Sequence, residues 1–300
     1  MVTKQHIIDG LRELGLRAGD TVVVHSSLSS FGKVQGGAET VVEALLEVLG
    51  PEGTLAVPTF NFEPDVFDPD STPSVVGQIT EAVRKLPGAI RSKHPTHSVA
   101  AIGRLARVIT EGHENVSPFG RGSALFKLLQ ANGKVLQLGV DQTTCSMVHV
   151  AEEIVGVPFL DRQRCVGIRM PDGKVVRKWV RRPGCSQGFG VLDVPLRQRH
   201  QLAETLIGKC RARLFTARAI VQAAVEMLQA DPESLLCSRP DCGNCAEARA
   251  MIAALSSEKQ DREVTELAEQ EERTIRLIEK QFEDVEITYF EPERHDRSPN

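Results

Sequence analysis

The first sixty residues alternate between helical and strand-like hydrophobic patterns. Residues 4–14 carry apolar side chains at helical spacing, and Gly15 follows as a stop signal. Residues 21–25 and 54–58 are short apolar runs typical of buried strands. An amphipathic stretch at 39–49 lies between them and predicts a helix. This β-α-β order indicates an α/β sheet.

The same alternation continues to about residue 155. We predict helices at residues 75–86, 123–130 and 145–154, and strands at 99–102 and 134–140. The second half has a different pattern. Two strand-like runs, 165–170 and 175–180, are joined by Pro-Asp-Gly and predict a hairpin, and helices are expected at 196–206 and 217–228.

Two stretches stand outside this pattern. Residues 61–73 are rich in proline and acids and predict a long loop. Residues 256–283 are densely charged, with a thin apolar stripe, and 291–300 are expected to form a disordered tail. The charged stretch is interpreted as a surface helix or as one that packs on a partner, which would make a homodimer.

Composition narrows the class of protein. The chain has 300 residues, of which 41% are hydrophobic, so it can bury a core. A net charge of -4 and an aromatic content of 4% argue against a nucleic-acid partner. No apolar run is long enough to span a membrane, and the first residues lack the apolar core of a signal peptide. We expect a cytoplasmic protein whose cysteines are reduced, buried or metal-bound.

A serine-rich loop follows the first strand. Ser26, Ser27 and Ser29 lie where ligands bind in open α/β sheets, at the carboxyl ends of strands. Their hydroxyl and backbone groups can donate to a phosphate or a pantetheine chain. The alternative is a turn with helix-capping serines. Neither G-x-x-x-x-G-K-[ST] nor G-x-G-x-x-G occurs, which disfavours nucleotide binding by those motifs.

A basic segment rich in imidazoles precedes the strand at 99–102. Arg91, His94, Thr96 and Ser98 lie in the sequence RSKHPTHS. They can hold the phosphates of a cofactor, or a histidine here can transfer a proton. A solvated basic loop is the alternative interpretation.

A histidine and a carboxylate share one face of the helix predicted at 145–154. His149 has Glu152 and Glu153 three and four residues later. A carboxylate can orient an imidazole and fix its tautomer, as a general base requires. The alternative is a structural histidine near a helix start. Cys145, one turn away, raises the weaker alternative of a cysteine nucleophile.

Carboxylates cluster in and after the predicted long loop. Glu63, Asp65, Asp68 and Asp70 lie in the loop, and Glu81 follows on the next helix. Such a cluster can bind the ammonium groups of a polyamine or an aminosugar. We select Asp68 and Glu81 as candidate substrate residues, with a solvated acidic loop as the alternative.

Four cysteines suggest a metal site in the second half. Cys237, Cys242 and Cys245 have the spacing C-x4-C-x2-C, and Cys185 is a candidate fourth ligand. The C-x2-C step is compatible with tetrahedral zinc. The same spacing occurs in plant-type ferredoxins, so an iron–sulfur cluster is an alternative, as are reduced structural thiols.

Several spaced blocks resemble the aminoglycoside 3-N-acetyltransferases. They occur in the family's order over residues 5–155 and include VVVHSSLSSFG, GTLAVPTF, ENVSPFGRGSALFKLL and GKVLQLGVDQTTCSMVHVAEE. The resemblance implies a mixed central sheet flanked by helices and acetyl transfer from acetyl-CoA to an amine. It implies that His149 is the catalytic base with Glu152 assisting. It also implies that the serine loop, the RSKHP segment, and Phe119 and Gly120 of SPFG line the CoA channel.

The resemblance predicts an activity of the antibiotic-resistance type. An amine of an aminoglycoside-like aminosugar is acetylated by its direct attack on the thioester of acetyl-CoA. It predicts an acetyltransferase domain at residues 1–255, with a CoA and catalytic half (1–155) and a substrate-side half (156–255), followed by a charged helix and tail (256–300). The cysteine cluster is not a hallmark of the family. The alternatives are an N-acetyltransferase of another amine metabolite, and a metal- or thiol-binding protein on a retired enzyme fold.

Overall fold

A seven-stranded mixed sheet forms the centre of the fold. The computed structural model describes residues 1–62 and 65–259. The strands are β1 (Thr21–Ser26), β2 (Thr54–Pro58), β3 (Val66–Phe67), β4 (Ile90–Arg91), β5 (Val99–Gly103), β6 (Lys134–Leu138), β7 (Gln163–Arg169), β8 (Val175–Arg181), β9 (Ala203–Ile207) and β10 (Cys210–Thr216). The helices are α1 (Lys4–Leu14), α2 (Gly37–Leu49), α3 (Gln78–Arg84), α4 (Ala106–Thr110), α5 (Ala124–Gln130), α6 (Met147–Val155), α7 (Asp193–Gln198), α8 (Ala217–Ala230) and α9 (Gly243–Lys259).

Three parallel strands occupy the middle of the large sheet. Its order is β4-β5-β2-β1-β6-β10-β9, and β1 runs parallel to both β2 and β6. The outer pairs are antiparallel, which makes the sheet mixed. A separate three-stranded sheet has the order β3-β7-β8 and contains the predicted hairpin. The α/β fold with a mixed, helix-flanked sheet is therefore confirmed.

Helices cover both faces of the central strands. One face of β1, β2 and β6 packs with α1 and α2 in a continuous apolar core that includes Val22, Leu55 and Leu136. On the other side, α5, α6 and α8 pack against one another. Strands buried on both faces read as uninterrupted apolar runs, which is why β1 and β2 were recognisable from the sequence.

The first helix illustrates how local signals fix an element. The Thr3 hydroxyl accepts from the backbone N–H of His6, and the His6 side chain accepts from the N–H of Thr3, a reciprocal cap. Gly15 ends the helix at φ 103°, in the left-handed region where only glycine is unstrained. The predicted bounds of this helix are confirmed.

The helix predicted at 196–206 is wrong. A short helix ends at Gln198, and β9 (Ala203–Ile207) pairs antiparallel with β10, which the sequence pattern missed. β9 is an edge strand with mostly exposed side chains, and Leu206 is 67% exposed. Because the strand has no buried face, its apolar and polar residues do not alternate, and the pattern does not indicate a strand.

Other differences concern element ends. The helix predicted at 75–86 begins only at Gln78, because Gly77 has a positive, non-helical φ of 132°. The helix predicted at 145–154 begins at Met147, since Asp141 caps a separate one-turn helix at Gln142–Thr144. The loop predicted at 61–73 contains β3.

Part of the prediction lies outside the described residues. Glu63, most of the charged stretch at 256–283, and the tail at 291–300 are in this group. The domain division at residue 255 and the homodimer therefore stay predictions. Among the described residues, no helix is both long and apolar enough to cross a bilayer.

Candidate active site

The carboxyl ends of the parallel strands open into a cleft of about 560 Å³. Ser26 at the end of β1, Pro58 at the end of β2, and Thr143 and Thr144 after β6 line one side of it. The opposite wall comes from the end of β8 and the residues after it. Its position and size are those of a small-molecule site in an α/β protein.

Tight contact between two loops shapes the strand ends. The N–H of Ser27 donates to the carbonyl of Leu138 at 2.9 Å, which joins the serine loop to the end of β6. Gly139 follows at φ 69°, and a Cβ at this position would lie 1.8 Å from Ser30 Oγ. Only glycine permits both this conformation and this approach.

Two polar atoms at the end of β1 are buried without a partner in the described structure. They are His25 Nε2 and Ser26 Oγ, and both residues line the cleft. Buried polar groups are nearly always hydrogen-bonded. A molecule bound in the cleft can supply the missing partners.

His149 and Glu152 form a hydrogen-bonded pair at the cleft. His149 lies in the first turn of α6, and its Nδ1 is 2.7 Å from Glu152 Oε2. Glu152 is 1% exposed and the His149 side chain is 11% exposed. A carboxylate at Nδ1 fixes the proton there, so Nε2 is the nitrogen with a lone pair for a molecule in the cleft.

Aromatic rings hold the imidazole in place. Phe119 stacks on His149, with centroids 4.9 Å apart and an interplanar angle of 26°. Phe189 contacts the same ring edge-on at 5.0 Å. These contacts restrict rotation of the imidazole and exclude water from two of its sides.

The neighbouring acid has a different role. Glu153 accepts from the Ser117 hydroxyl and pairs with Arg181 Nη1 at 3.2 Å. It therefore ties the loop before α5 to the end of β8. Of the two acids that share a helix face with His149, only Glu152 contacts the imidazole.

Part of the predicted CoA-binding set lies at the cleft. Ser26, Thr96 and Phe119 line it. Ser27 and Ser29 line a second groove of about 480 Å³, which shares Ser26 with the cleft. The loop after β1 is thus continuous with both cavities.

Four other predicted residues are directed into the protein. The Arg91 guanidinium donates to the carbonyls of Thr59 and Thr72 and to Ser98 Oγ. These hydrogen bonds hold the loop before α3 in place. Ser98 also donates to the carbonyl of Thr59.

His94 is 1% exposed, and its Nδ1 accepts from the N–H of His97. Gly120 packs against Ser117 and Glu153. The structure does not bring these four to the cleft.

The predicted substrate acids are hydrogen-bonded to neighbouring groups of the protein. Glu81 accepts from Arg84 at 2.6 and 2.8 Å, and chiefly this bond lowers the pKa of the Glu81 carboxyl to about 2. Asp68 accepts from the backbone N–H groups of Asp70 and Ser71, which lower the pKa of its carboxyl. Neither lines the cleft. The i,i+3 spacing of Glu81 and Arg84 on the predicted helix was a signal for their pairing, whereas nothing in the sequence indicated the partners of Asp68.

Cations at the cleft were missed from the sequence. Arg164, Arg181 and Arg182, all from the hairpin or just after it, line the wall opposite the strand ends. The basic run RKWVRRPG was the available signal. Among the described residues that line the cleft, none carries a carboxylate.

Cys145 also lines the cleft but is a poor nucleophile. Its side chain is fully buried, and burial raises the pKa of the thiol to about 12. The thiolate is the reactive form of cysteine, so this environment disfavours the cysteine alternative.

The cysteine cluster forms in the structure. The sulfurs of Cys185, Cys237, Cys242 and Cys245 lie within 4.8 Å of one another. The residues flanking Cys185, Gly184 and Ser186, line the cleft.

Comparisons with known proteins show what this chain is similar to. The aminoglycoside 3-N-acetyltransferase family model matches residues 23–229. The aminoglycoside N(3)-acetyltransferase IV of Salmonella sp is 31% identical over 233 residues, which covers 76% of this chain and 88% of the relative. A mutant of the aminoglycoside acetyltransferase AAC(3)-IVa, solved in complex with gentamicin, has a TM-score of 0.77 at 31% identity, covering 83% of this chain and 97% of that one.

A further solved structure adds a CoA complex. AAC-IIIb, solved as a binary complex with CoASH, has a TM-score of 0.71 at 26% identity, and the match covers 76% of this chain and 96% of that chain. Because the family model matches more than half of this chain, the chain belongs to the family of aminoglycoside 3-N-acetyltransferases, which are acyltransferases.

Proposed function

We propose that this protein transfers the acetyl group of acetyl-CoA to an amine of an aminoglycoside-like aminosugar, with His149 as the general base. The observation that carries the proposal is the His149–Glu152 pair at the cleft, with Nδ1 occupied by the carboxylate and Nε2 available. In support, relatives were solved with gentamicin and with CoASH, the first of these as a mutant enzyme. The cytoplasmic location expected from the sequence stays a prediction.

His149 performs the proton transfer that the acceptor requires. An ammonium group has no lone pair, so it must lose a proton before its nitrogen can attack the thioester. Nε2 takes that proton, and Glu152 stabilises the imidazolium that forms. A C–N bond then forms and the C–S bond breaks. The nitrogen gives up its second proton to the departing sulfur, so CoA leaves as the thiol. No acyl-enzyme is needed, in keeping with the buried thiol of Cys145.

The residues present fit the chemistry of CoA. Its phosphates are anionic, and Arg181 and Arg182 line the cleft together with Arg164. The buried Ser26 hydroxyl and His25 Nε2 require hydrogen-bond partners, which a pantetheine amide can provide. Acetyl-CoA supplies the activated acyl group. The protein contributes its orientation, and orienting two reactants is worth about 7–11 kcal/mol of barrier.

A second acceptor class is favoured by one observation. The described cleft lining carries no carboxylate and three arginines, of which Arg181 pairs with Glu153. The predicted acids Asp68 and Glu81 are paired with Arg169 and Arg84. A polycation binds best where carboxylates face it. A different amine metabolite, neutral or anionic apart from its amino group, is therefore the alternative acceptor.

The test measures CoA thiol release with acetyl-CoA and a panel of 2-deoxystreptamine aminoglycosides beside neutral and anionic amines. We expect His149→Ala to lower kcat by about 10²–10⁴-fold, the usual contribution of a general base, with little change in acetyl-CoA binding. His200→Asn, an exposed histidine replaced by a residue that tolerates its positive φ, is the matched control. A kcat of His149→Ala within fivefold of the wild type would remove the base from the proposal.

The acceptor panel separates the two acceptor classes. Turnover with aminoglycosides supports the first, and turnover restricted to neutral or anionic amines supports the second. Failure to bind acetyl-CoA would contradict both. Calorimetric titration with CoA measures that binding without any turnover.

A further inference from the structure

Four cysteine sulfurs from two distant parts of the chain converge on one point. Cys185 follows β8, whereas Cys237, Cys242 and Cys245 lie after α8 and at the start of α9. Their sulfur atoms are all within 4.8 Å of one another, and Cys185 Sγ lies 3.9 Å from Cys237 Sγ. The cysteines of the described chain that lie outside this cluster are Cys145, Cys165 and Cys210.

The spacing matches ligands that share a single ion. A zinc ion bonds to thiolate sulfur at about 2.3 Å, so two sulfurs at tetrahedral positions lie about 3.8 Å apart. A disulfide would bring a pair to about 2.05 Å, and all four cysteines are free thiols. An iron–sulfur cluster distributes its thiolates over different irons, which requires a wider spread than one ion does. The geometry favours one ion over a bond or a cluster.

The backbone around the thiols is built for this approach. A Cβ on Gly188 would lie 2.3 Å from the carbonyl oxygen of Leu235, so glycine is what allows the Cys185 loop to touch the Cys237 segment. Arg249 of α9 donates to the carbonyl of Cys237 at 3.0 Å. The N–H of Gln187 donates to Cys185 Sγ at 3.4 Å. Such contacts orient the sulfurs, as outer-shell partners do at metal sites.

Two of the sulfurs also sit at a helix N-terminus. Cys242 immediately precedes α9 and Cys245 is in its first turn. The positive end of the helix dipole stabilises negative charge on thiolates there. Gly243 and Asn244, which lie between these two cysteines, are part of the helix.

We propose that Cys185, Cys237, Cys242 and Cys245 bind one Zn²⁺ ion in a closed tetrathiolate site. Four soft sulfur ligands select zinc among the common divalent ions, and four protein ligands leave no position open for substrate. The site is therefore structural. It takes no direct part in the acetyl transfer.

The ion would hold one wall of the cleft. Gly184, Ser186 and Gln187 line the cleft on either side of Cys185, and Phe189 packs against the His149 ring. Zinc would fasten this segment to the start of α9. Without the ion, the wall between Arg181 and Phe189 loses this cross-link to α9 and should open more readily.

The first test measures metal in the full-length protein, purified without a metal-affinity tag. We expect about one zinc per chain by elemental analysis in the wild type. Cys242→Ser removes a ligand at the protein surface and should lower the zinc content at least about tenfold. Cys165→Ser, a half-buried cysteine of β7 outside the cluster, is the matched control and should retain the zinc.

A second measurement keeps the proposal testable if Cys242→Ser does not fold. Wild-type protein is stripped with a chelator under reducing conditions, titrated with zinc, and followed by hydrogen exchange. We expect uptake of one ion and slower exchange in residues 181–189 and 235–247, with β1 unchanged. Wild-type protein that holds no zinc and takes up none, or zinc retained in full by a folded Cys242→Ser, would overturn the proposal. Neither readout depends on acetyl transfer.

Discussion

His149 is held by contacts on two different parts of its ring. Glu152 fixes the Nδ1 side through a 2.7 Å hydrogen bond, and Phe119 covers one face of the imidazole. The acid decides which nitrogen carries the proton, and the aromatic contact decides where the other nitrogen points. Glu152 is only 1% exposed, and an acidic residue buried to this extent is unusual without a partner. The hydrogen bond therefore stabilises the buried Glu152 as well as orienting the imidazole.

The acid can be tested against its own neighbour. Glu152→Gln can present its NH₂ group to Nδ1, which moves the imidazole proton to Nε2 and blocks the base. We expect kcat to fall by at least about 10²-fold. Glu153→Gln changes the adjacent acid, which contacts Ser117 and Arg181, and should retain most of kcat. Equal losses in steady-state kinetics of the two variants would show that the Glu152 carboxylate has no special role.

At the scale of elements, the loop that follows β6 requires glycine at one position, Gly139. Gly139 combines a left-handed backbone with the close approach of the serine loop. Gly156, which ends α6, has nearly the same φ (72° against 69°), but no atom lies within 4 Å of where its Cβ would be. The pair separates backbone strain from steric overlap.

Alanine at each glycine measures these two effects. Gly156→Ala should lower the free energy of unfolding by about 1–2 kcal/mol, the cost of a side chain in the left-handed region. Gly139→Ala should cost about 1–3 kcal/mol more, because Ser30 must move. Urea denaturation of both variants gives the difference. Equal losses would mean that the serine loop moves aside freely.

Across the whole molecule, four buried histidines other than His149 have a pKa below the ordinary value. Burial lowers the pKa of His25 and His113 to about 4. Burial, followed by neighbouring imidazoles and cations, holds the pKa of His94 and His97 well below 6.5. The native protein thus keeps these rings neutral at a pH where the unfolded chain protonates them.

This difference predicts acid sensitivity with a defined sign. As the pH falls below 6.5, the unfolded chain binds protons that the native state refuses, so the free energy of unfolding decreases. Each histidine contributes up to about 1.4 kcal/mol per pH unit. For His25 and His113 the loss ends near pH 4, where the native state also takes up the proton.

Urea midpoints measured between about pH 7.5 and pH 5 test this window, which precedes most carboxylate titration. We expect a steady decline in the midpoint. His113→Gln, which can keep a hydrogen bond to Ser92 or to the Pro118 carbonyl, should make the decline shallower. A midpoint that is flat over this range would mean that these histidines are accessible to protons in the native state.

Local signals in the sequence were enough wherever an element carried its own stop or its own buried face. Apolar residues at helical spacing and the glycine after Leu14 defined α1, and an all-apolar run defined β2. Prediction failed for β9, whose side chains are mostly exposed. An edge strand is specified by its partner, and a single sequence contains no record of that partner.

The sequence by itself determined the central β-α-β unit, the family, the spacing of His149 from Glu152, and the presence of four cysteines able to share an ion. These depend on neighbours along the chain or on residue identity. Only the tertiary structure decided which polar residues face the cleft. Arg91 donates to carbonyls far along the chain and Glu81 pairs with Arg84 on its own helix, whereas Arg181 and Arg182 reach the cleft through the hairpin. The physical reason is that the direction of a long charged side chain is set by the partners that folding brings to it.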